Sequence, residues 1–227
     1  MPARNSLIIF IKTPEPGHIK TRLARDINED YVRALYTAFL KDLDYRFNNQ
    51  KEYQTWYAIA PENFNFTTLS GIIRLNKYFL QHGAHLGSRM HHAFGHVSQD
   101  GSDKMVLIGS DIPAISGNII AQAFSKLDQS ECVLGPTTDD GYYLIGLKKP
   151  QPALFADISW STEMVLQQTL ERAGQENIPV DLLARLNDVD TLSDLRKLHQ
   201  LLLDQNRSIS DFPKFTWNIL EKMNHFL

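Results

Sequence analysis

The sequence predicts an α/β protein in which a mostly parallel sheet is covered by helices on both faces. Short apolar runs alternate along the chain with longer segments in which apolar residues recur at helical spacing. The runs at 7–11 and 105–108 are apolar at successive positions, as in strands that are buried on both faces. Alternating strands and helices are typical of parallel sheets. The length suits one domain over 1–227, and we find no internal repeat.

The same patterns predict each element in order. Strands are predicted at 7–11, 53–60, 78–80, 104–109, 132–134 and 142–147. Helices are predicted at 30–47, 86–97, 116–127, 164–173 and 192–203. Proline and glycine interrupt regular structure, as in the 13–17 loop that follows the first strand. The tail after residue 206 is polar and aromatic by turns, so its structure stays unassigned.

Composition and charge narrow the classes of function. The net charge of -3 and the pI of about 6.2 differ from the basic surplus of nucleic-acid-binding proteins. The single cysteine, Cys132, excludes an intrachain disulfide and fits a reducing cytoplasm. No apolar run has the length of a signal-peptide core or of a membrane span. We therefore expect a cytoplasmic protein without nucleic-acid or membrane partners, and a homodimer is compatible with the sequence.

A loop rich in cations follows the first predicted strand. It contains Pro14 and Gly17, and Lys12, Lys20 and Arg22 lie in or beside it. Backbone amides at a helix start favour anions, and Lys and Arg are natural partners of phosphate oxygens. The loop has neither the Walker A spacing nor the Gly-x-Gly-x-x-Gly spacing. A phosphate-binding loop and a solvated helix start both remain open for this segment.

Carboxylates occur at two places that suit a metal. Asp111 directly follows the 104–109 strand, and ligands of open α/β sheets lie at the carboxyl ends of strands. Asp188 and Asp190 are spaced to project to the same side of an extended segment. Magnesium takes one or two carboxylates together with substrate phosphates. The structural alternatives are a turn residue ahead of Pro113 and a negatively charged helix start.

Two further loops are candidates for contact with a second substrate. Asp139, Asp140 and Gly141 join two predicted strands, although a plain Asp-Gly hairpin explains much of that pattern. Trp160 and Ser161 precede a predicted helix, where Ser161 suits the N-cap position.

Five histidines crowd the segment 82–96, and two of them lie one helical turn apart, which is compatible with half of a zinc site. No nearby cysteine or acidic partner completes such a site. A solvated or partly packed helix face is therefore favoured for this segment.

Taken in order, these segments resemble the GT-A-type rSAM/selenodomain-associated transferases. They are more distantly similar to the phospholactate and molybdenum-cofactor guanylyltransferases. The matching pieces cover the chain from residue 8 to about residue 198 and are the 12–23 loop, Gln81-His-Gly83, Leu86-Gly87-Ser-Arg89-Met90, Gly109-Ser-Asp-Ile-Pro113, 135–147, Trp160-Ser161-Thr162 and Asp188-Val-Asp-Thr191. The family pattern usually has glycine where Asp140 stands, so this loop gains a charge and loses a permissive backbone position.

The resemblance implies a GT-A-like, Rossmann-type sheet of the nucleotide-diphospho-sugar transferase kind. It implies that Asp111 and either Asp190 or Asp188 hold Mg²⁺ or Mn²⁺, and that Lys20, Arg22 and Asp111 are catalytic. The implied nucleotide contacts are Lys12, Pro14, Gly17, Lys20, Thr21, Arg22, Gln81, Gly87, Arg89 and Ser110. The implied contacts of the acceptor or sugar are Asp139, Asp140, Gly141, Tyr142, Trp160 and Ser161.

The sequence thus predicts a metal-dependent transferase that uses a nucleotide-activated donor. Nucleotidyl transfer from a nucleoside triphosphate to a small acceptor is favoured, because the basic first loop suits pyrophosphate as the leaving group. Glycosyl transfer from a nucleotide-diphospho-sugar is the alternative. A nucleotide-binding module without turnover is an alternative of another class. The carboxylates at both places that suit a metal, Asp111 and Asp188/Asp190, argue against it.

Overall fold

The structure is a computed structural model that describes residues 4–15, 17, 19–61 and 63–227. Within these residues it contains seven strands, namely β1 (Asn5–Lys12), β2 (Gln54–Ala60), β3 (Tyr78–Leu80), β4 (Lys104–Gly109), β5 (Cys132–Pro136), β6 (Tyr142–Leu147) and β7 (Val180–Leu182). They form one sheet in the order β3-β2-β1-β4-β6-β5-β7. Strand β6 runs antiparallel to β4 and β5, and the other pairs are parallel. The predicted mostly parallel sheet is confirmed.

Helices cover both faces of this sheet. The α-helices of the described residues are α1 (Glu29–Phe47), α2 (Phe66–Ser70), α3 (Leu86–Gln99), α4 (Gly117–Lys126), α5 (Val165–Gln175), α6 (Leu192–Leu203) and α7 (Lys214–Lys222). One core contains buried side chains of α1, α4, α6 and α7, and the other contains those of α3 and α5. No helix in the described ranges is long and apolar enough to cross a membrane.

Strand β1 shows why the sequence builds two cores. Its side chains alternate between the faces of the sheet, as the two-residue period of a strand requires. Leu7, Ile9 and Ile11 join the core with α1, whereas Ile8 and Phe10 join the core with α3. All five are at most 9% exposed, so a continuous apolar run is what a central strand needs.

The start of α5 agrees with the prediction to within one residue, but its predicted N-cap residue is wrong. Ser161 does not cap this helix, because the N-cap residue is Met164 and no side chain caps the helix there. The backbone of Ser161 has a φ of 66°, which is a left-handed conformation rather than the extended one of an N-cap. Thr162 holds the turn instead, since its hydroxyl donates to Ser159 O at 2.7 Å and accepts from Met164 N at 3.2 Å.

The tail without a predicted structure contains α7, which packs against α1. Trp217 and Leu220 of α7 are buried in the core that α1 also lines. Two α7 amides, those of Phe215 and Thr216, donate to the carboxylate of Asp42 in α1 at 3.0 and 2.8 Å. Burial raises the pKa of Asp42, and these hydrogen bonds lower it in part.

Candidate active site

A cleft of about 1110 Å³ opens at the carboxyl ends of β1 and β4. The strand order reverses between these two strands, and open α/β sheets bind ligands at such a point. Most of the predicted site residues line this cleft, namely Lys12, Lys20, Thr21, Arg22, Gln81, Arg89, Ser110, Asp111, Asp139, Asp140, Gly141, Tyr142, Trp160, Ser161, Asp188 and Asp190. The cleft therefore collects side chains from distant segments of the chain.

Three predicted nucleotide contacts are absent from the described lining of this cleft. Pro14 is buried and Gly17 is exposed, with a φ of 77°. Gly87 lies beneath the indole of Trp160, and a Cβ placed there would be 2.4 Å from the ring. Pro16 and His18 of the first loop lie outside the described residues.

The ammonium group of Lys20 lies between two carboxylates on the floor of the cleft. Its Nζ is 2.5 Å from Asp111 Oδ1 and 3.1 Å from Asp190 Oδ1. The Lys20 side chain is 3% exposed, whereas those of Asp111 and Asp190 are 45% and 42% exposed. Burial lowers the pKa of Lys20, but the two carboxylates outweigh this effect, and the pKa is raised. Lys20 is therefore a protonated cation with two anionic partners.

The backbone around the two carboxylates fixes their separation. Asp111 directly follows β4, and its carbonyl oxygen accepts a hydrogen bond of 3.0 Å from Val189 N. This bond holds the segment with Asp190 beside the end of β4. Helix α6 begins just after that segment with a capping box, in which Thr191 and Asp194 bond to each other's backbone amides. Asp190 is thus presented by a short segment that is anchored at both ends.

Negative charge is concentrated beside this pair. Burial and the nearby charges of Asp139 and Asp190 raise the pKa of Asp188 to about 6, while Lys20 lowers it in part. A raised pKa means that the environment disfavours the ionised carboxylate. A cation that entered this part of the cleft would relieve the repulsion. In this structure it is Asp190, rather than Asp188, that shares the ammonium of Lys20 with Asp111.

Two side chains that the sequence prediction missed organise the cleft. The hydroxyl of Tyr36 lies 2.8 Å from Ser110 Oγ and accepts a hydrogen bond of 2.9 Å from Lys12 N. Burial raises the pKa of Tyr36, so the phenol is neutral and bridges the ends of β1 and β4. The helical spacing of Tyr36 on α1 had indicated a core position, and no feature of the sequence distinguished its hydroxyl.

The second missed side chain is Arg185, which pairs with Asp140 at 3.1 Å and also donates to Thr137 O. Asp140 has a φ of 61°, a left-handed conformation that glycine adopts without strain. Its carbonyl oxygen accepts from Leu166 N at 3.0 Å, so the loop is tied to the start of α5. The charge of Asp140 thus has a specific partner in this chain.

Gln81 lies at the opposite end of the cleft, after β3. Its Nε2 donates to Ile11 O at 3.2 Å and to Ala58 O at 2.9 Å. Both partners are carbonyl oxygens, so the amide cannot be turned over without losing both hydrogen bonds. Its Oε1 is therefore fixed as an acceptor. Arg89 from α3 also lines this end, and its Nε donates to Gly83 O at 3.0 Å.

The donor set around Lys20 suits a hard divalent cation that takes its remaining ligands from a substrate. Among the described residues, no group of three or more His, Cys, Asp or Glu side chains is arranged to hold a metal ion. Two carboxylates together with phosphate oxygens and water satisfy Mg²⁺, which seldom uses an all-protein cage. The histidines of α3 instead pack against neighbouring rings, and the ring of His96 is centred 4.4 Å from that of Phe79.

The comparisons with known proteins agree with this architecture. The family described as "Uncharacterized protein conserved in bacteria (DUF2064)" matches residues 49–162. A crystal structure of a proposed nucleotide-diphospho-sugar transferase from Desulfovibrio desulfuricans G20 is 30% identical, with a TM-score of 0.87 over 99% of this chain and 96% of that chain. No curated protein matches the sequence.

Two more distant structures share the fold. CMP:2-keto-3-deoxy-manno-octonic acid synthetase complexed with CTP is 11% identical, with a TM-score of 0.56 over 88% of this chain and 99% of that chain. The 4-diphosphocytidyl-2C-methyl-D-erythritol synthase of Anaerococcus prevotii DSM 20548 is 12% identical, with a TM-score of 0.58 over 88% and 96%. These two structures confirm the predicted fold. The predicted transferase class is confirmed through the relative that is 30% identical.

Proposed function

We propose that this chain, which belongs to the DUF2064 family and has the nucleotide-diphospho-sugar transferase fold, is a metal-dependent nucleotidyltransferase. The donor is a nucleoside triphosphate, and the acceptor is a small molecule that carries a hydroxyl or phosphate. The observation that carries the proposal is the meeting of Asp111 and Asp190 at one buried cation, Lys20, on the floor of the cleft.

The metal fits the cleft through Asp111 and Asp190. Their ion pairs with Lys20 use Oδ1 of each carboxylate, so Oδ2 of each remains to bind a metal from the cleft side. When bound, Mg²⁺ or Mn²⁺ would neutralise phosphate charge and orient the donor. Asp188 adds negative charge beside this site, which favours any cation that enters.

The donor would lie along the cleft from Gln81 to Asp111. Arg22 and Lys12 line the cleft as cations for the triphosphate, and Thr21 adds a hydroxyl donor. The fixed Oε1 of Gln81 would accept a hydrogen bond from an N–H of the base. Arg89 lines the same end, and its planar cation can stack on the base or bind a phosphate oxygen.

The acceptor would occupy the other end, beside the Asp139–Tyr142 loop, Trp160 and Ser161. An oxygen of the acceptor attacks the α-phosphorus in line, and a new P–O bond forms. The bond to the bridging oxygen breaks, and pyrophosphate leaves with that electron pair. Arg22 and Lys12 stabilise the charge that develops on the pyrophosphate, since phosphoryl transfer depends mainly on positioning and charge neutralisation. A deprotonated acceptor phosphate needs no base, whereas a hydroxyl gives its proton to a cleft carboxylate or to water.

Glycosyl transfer is the second candidate, because the relative from Desulfovibrio desulfuricans bears the name of a nucleotide-diphospho-sugar transferase. The Asp139–Tyr142 loop would then face the sugar, and the leaving group would be a nucleoside diphosphate. The product released therefore distinguishes the two reactions.

A thermal-shift screen followed by a product assay tests the proposal. Nucleoside triphosphates and nucleotide-sugars are each added with and without Mg²⁺ or Mn²⁺ to the wild type and to Asp111→Asn. Asp128→Asn is the matched control, because this carboxylate pairs with Lys104 at the start of β4, the opposite end of the strand from Asp111. A ligand at one hundred times its dissociation constant stabilises the native state by about 2.7 kcal/mol.

We expect a metal-dependent shift in the wild type and in Asp128→Asn that is lost in Asp111→Asn. The best triphosphate should then give pyrophosphate in the presence of an acceptor. Release of a nucleoside diphosphate from a nucleotide-sugar would support glycosyl transfer instead. The absence of a shift with every nucleotide would contradict both reactions.

A further inference from the structure

We propose that Lys20 is the built-in counter-ion of the metal site, so that a divalent metal binds weakly until nucleotide phosphates arrive to take Lys20 over. The inference rests on the proposed function, because it concerns the same two carboxylates. It assigns to Lys20 a positioning role: the residue holds Asp111 and Asp190 together in the free protein and couples metal binding to nucleotide binding.

The positions of the three side chains carry the first step. The ammonium of Lys20 contacts both carboxylates and is 3% exposed, so it lies on their buried side. Asp111 and Asp190 are 45% and 42% exposed, so their other sides face the cleft. Without Lys20, two carboxylates this close would repel each other, although the backbone around them still fixes their separation. Lys20 therefore neutralises part of the charge of the two oxygen ligands in the free protein.

The same arrangement weakens the site for a free metal. Two carboxylates alone carry two negative charges, and with Lys20 the group carries one. An incoming divalent cation meets this reduced charge and also meets a positive charge a few ångströms away. Coulomb interactions at such separations are strong when water is partly excluded, as it is around a side chain that is 3% exposed. Free Mg²⁺ or Mn²⁺ should therefore bind less tightly than it would to the same carboxylates without Lys20.

Nucleotide phosphates remove the repulsion between Lys20 and the metal, because they replace the carboxylates as the partners of Lys20. Lys20 lines the same cleft as Thr21 and Arg22, where phosphates are proposed to bind. A lysine ammonium is a compact charge on a flexible stem, so it can transfer hydrogen bonds from carboxylate to phosphate oxygens. The metal then neutralises Asp111 and Asp190 while a phosphate neutralises Lys20. Every buried charge remains paired throughout the exchange, which avoids the cost of an unpaired ion.

A coupling between the two ligands follows. If nucleotide raises the affinity for metal, metal must raise the affinity for nucleotide by the same factor. Metal and nucleotide should accordingly enter together rather than one at a time. Arg22 is more exposed and contacts neither carboxylate in the described structure, so it cannot replace Lys20 in this role.

Calorimetric titration with Mn²⁺ alone, in the absence of nucleotide, tests the inference on the full chain. The variants are Lys20→Met, which removes the charge, and Lys20→Arg, which keeps it. The matched control is Lys148→Met, because Lys148 forms a comparable pair with Glu131 at 3.2 Å, beside the starts of the parallel strands. We expect Lys20→Met to bind Mn²⁺ at least tenfold more tightly than the wild type, and Lys20→Arg and Lys148→Met to bind as weakly as the wild type.

Additional variants separate the possible failures. Lys20→Gln should show the same gain and replaces Lys20→Met if circular dichroism shows that the methionine variant is unfolded. Asp111→Asn added to Lys20→Met should abolish the gain if the metal is at this site. A neutral variant that binds Mn²⁺ no better than the wild type, while Mn²⁺ still binds with nucleotide, would overturn the inference and leave the proposed function standing. Absence of Mn²⁺ binding in every variant, with or without nucleotide, would overturn the proposed metal site and the inference with it.

Discussion

Two buried cations, Lys20 in the cleft and Arg46 in α1, have equal exposure and opposite surroundings. Each side chain is 3% exposed. The guanidinium of Arg46 donates to the carbonyl oxygens of Pro113, Ile115 and Asp211, with distances of 2.9 and 2.7 Å for the first two. Arg46 also has one carboxylate partner, Asp211, which is 32% exposed and lies 3.9 Å from its Nε. The partners of Lys20 are instead all side-chain carboxylates, at 2.5 and 3.1 Å, and they remain nearly half exposed.

The comparison teaches that burial of a cation does not by itself indicate function. Backbone carbonyls cannot leave Arg46, so that residue permanently joins α1 to the segment after β4 and to the chain before α7. Carboxylates that face a cleft can exchange Lys20 for another cation. The exposure of the partners, rather than of the cation itself, distinguishes a ligand site from a structural one.

The largest expected effect is that of Asp111→Asn on activity. Loss of one charged ligand at the reaction centre should lower the rate of pyrophosphate release about 10²–10³-fold, the range found when a single oxyanion-stabilising donor is removed. The unfolding free energy should fall by less than on removal of Arg46, because Asp190 still pairs with the buried ammonium of Lys20 after Asp111 has lost its charge. A rate within threefold of the wild type would show that the two carboxylates that contact Lys20 take no part in catalysis.

The opposite pattern is expected for Arg46→Met. This change leaves several buried carbonyls without donors and should lower the unfolding free energy by about 3 kcal/mol, measured by urea denaturation. Arg33→Met on the same helix is the control, since Arg33 is 53% exposed and should change stability by less than about 0.5 kcal/mol. The affinity for Mn²⁺ in the presence of nucleotide should be unchanged in both variants. A loss of that affinity in Arg46→Met would contradict the purely structural role of Arg46.

Two glycines of α3 test how closely the cleft wall is packed. A Cβ at Gly87 would lie 2.4 Å from the Trp160 ring, whereas a Cβ at Gly95 would have nothing within 4 Å. Gly87→Ala should cost about 2 kcal/mol by overpacking and shift the emission of the tryptophan that it displaces. Gly95→Ala should stabilise by about 0.5–1 kcal/mol, because alanine is the better helix former. Equal effects of the two substitutions would contradict the described contact.

The smallest expected effect is that of Asp188→Asn on the unfolding free energy, because Asp188 lies close to other carboxylates in the cleft. The pKa of Asp188 is raised to about 6 in the folded protein, above the ordinary value of 3.8, so the folded state holds this proton more tightly than the unfolded state. The resulting stabilisation is full below about pH 4 and is lost as the pH rises through about 6. After allowance for solvent screening at this partly exposed group, the loss is about 1 kcal/mol. Asp188→Asn should therefore be more stable than the wild type by about 1 kcal/mol at pH 8.

Denaturation series in EDTA at pH 4 and pH 8 measure this difference without a bound metal. The gain of Asp188→Asn should be largely lost at pH 4, where the folded wild type is protonated at this position and the unfolded state is partly protonated. Asp204→Asn, on the exposed C-terminal side of α6, is the control and should show no comparable gain. An equal gain at both pH values would mean that the effect of Asp188 is not electrostatic.

Most of the fold was predictable because its main elements carry long, regular patterns. The apolar runs of β1 and β4 and the helical spacing of α1 required no tertiary information. By contrast, α2 and β7 are short and were not predicted. β3 is as short as β7, but its three residues are all apolar, whereas β7 contains Asp181. The N-cap of α5 was misassigned because a serine before an apolar run suits that position, whereas Ser161 adopts a left-handed conformation in the turn before the helix.

The residue types of the candidate site could be predicted from the sequence, but the contacts between these residues could not. Asp111 was identified because it follows a predicted strand, and Asp188 and Asp190 because their spacing suits projection to one side of an extended segment. Their common contact with Lys20 depends on three distant segments meeting in space, and a single sequence does not contain that information. Arg185 was missed because it lies in a polar segment without a pattern, and its role depends on the left-handed loop at Asp140.

Anomalous diffraction from crystals grown with Mn²⁺ and a non-hydrolysable nucleoside triphosphate would show where the metal and the nucleotide bind. We expect one strong manganese peak in contact with Asp111 and Asp190, with the triphosphate beside it and the ammonium of Lys20 moved onto a phosphate oxygen. A nucleotide bound elsewhere, or an ammonium still held between the two carboxylates with no peak in the cleft, would contradict this expectation.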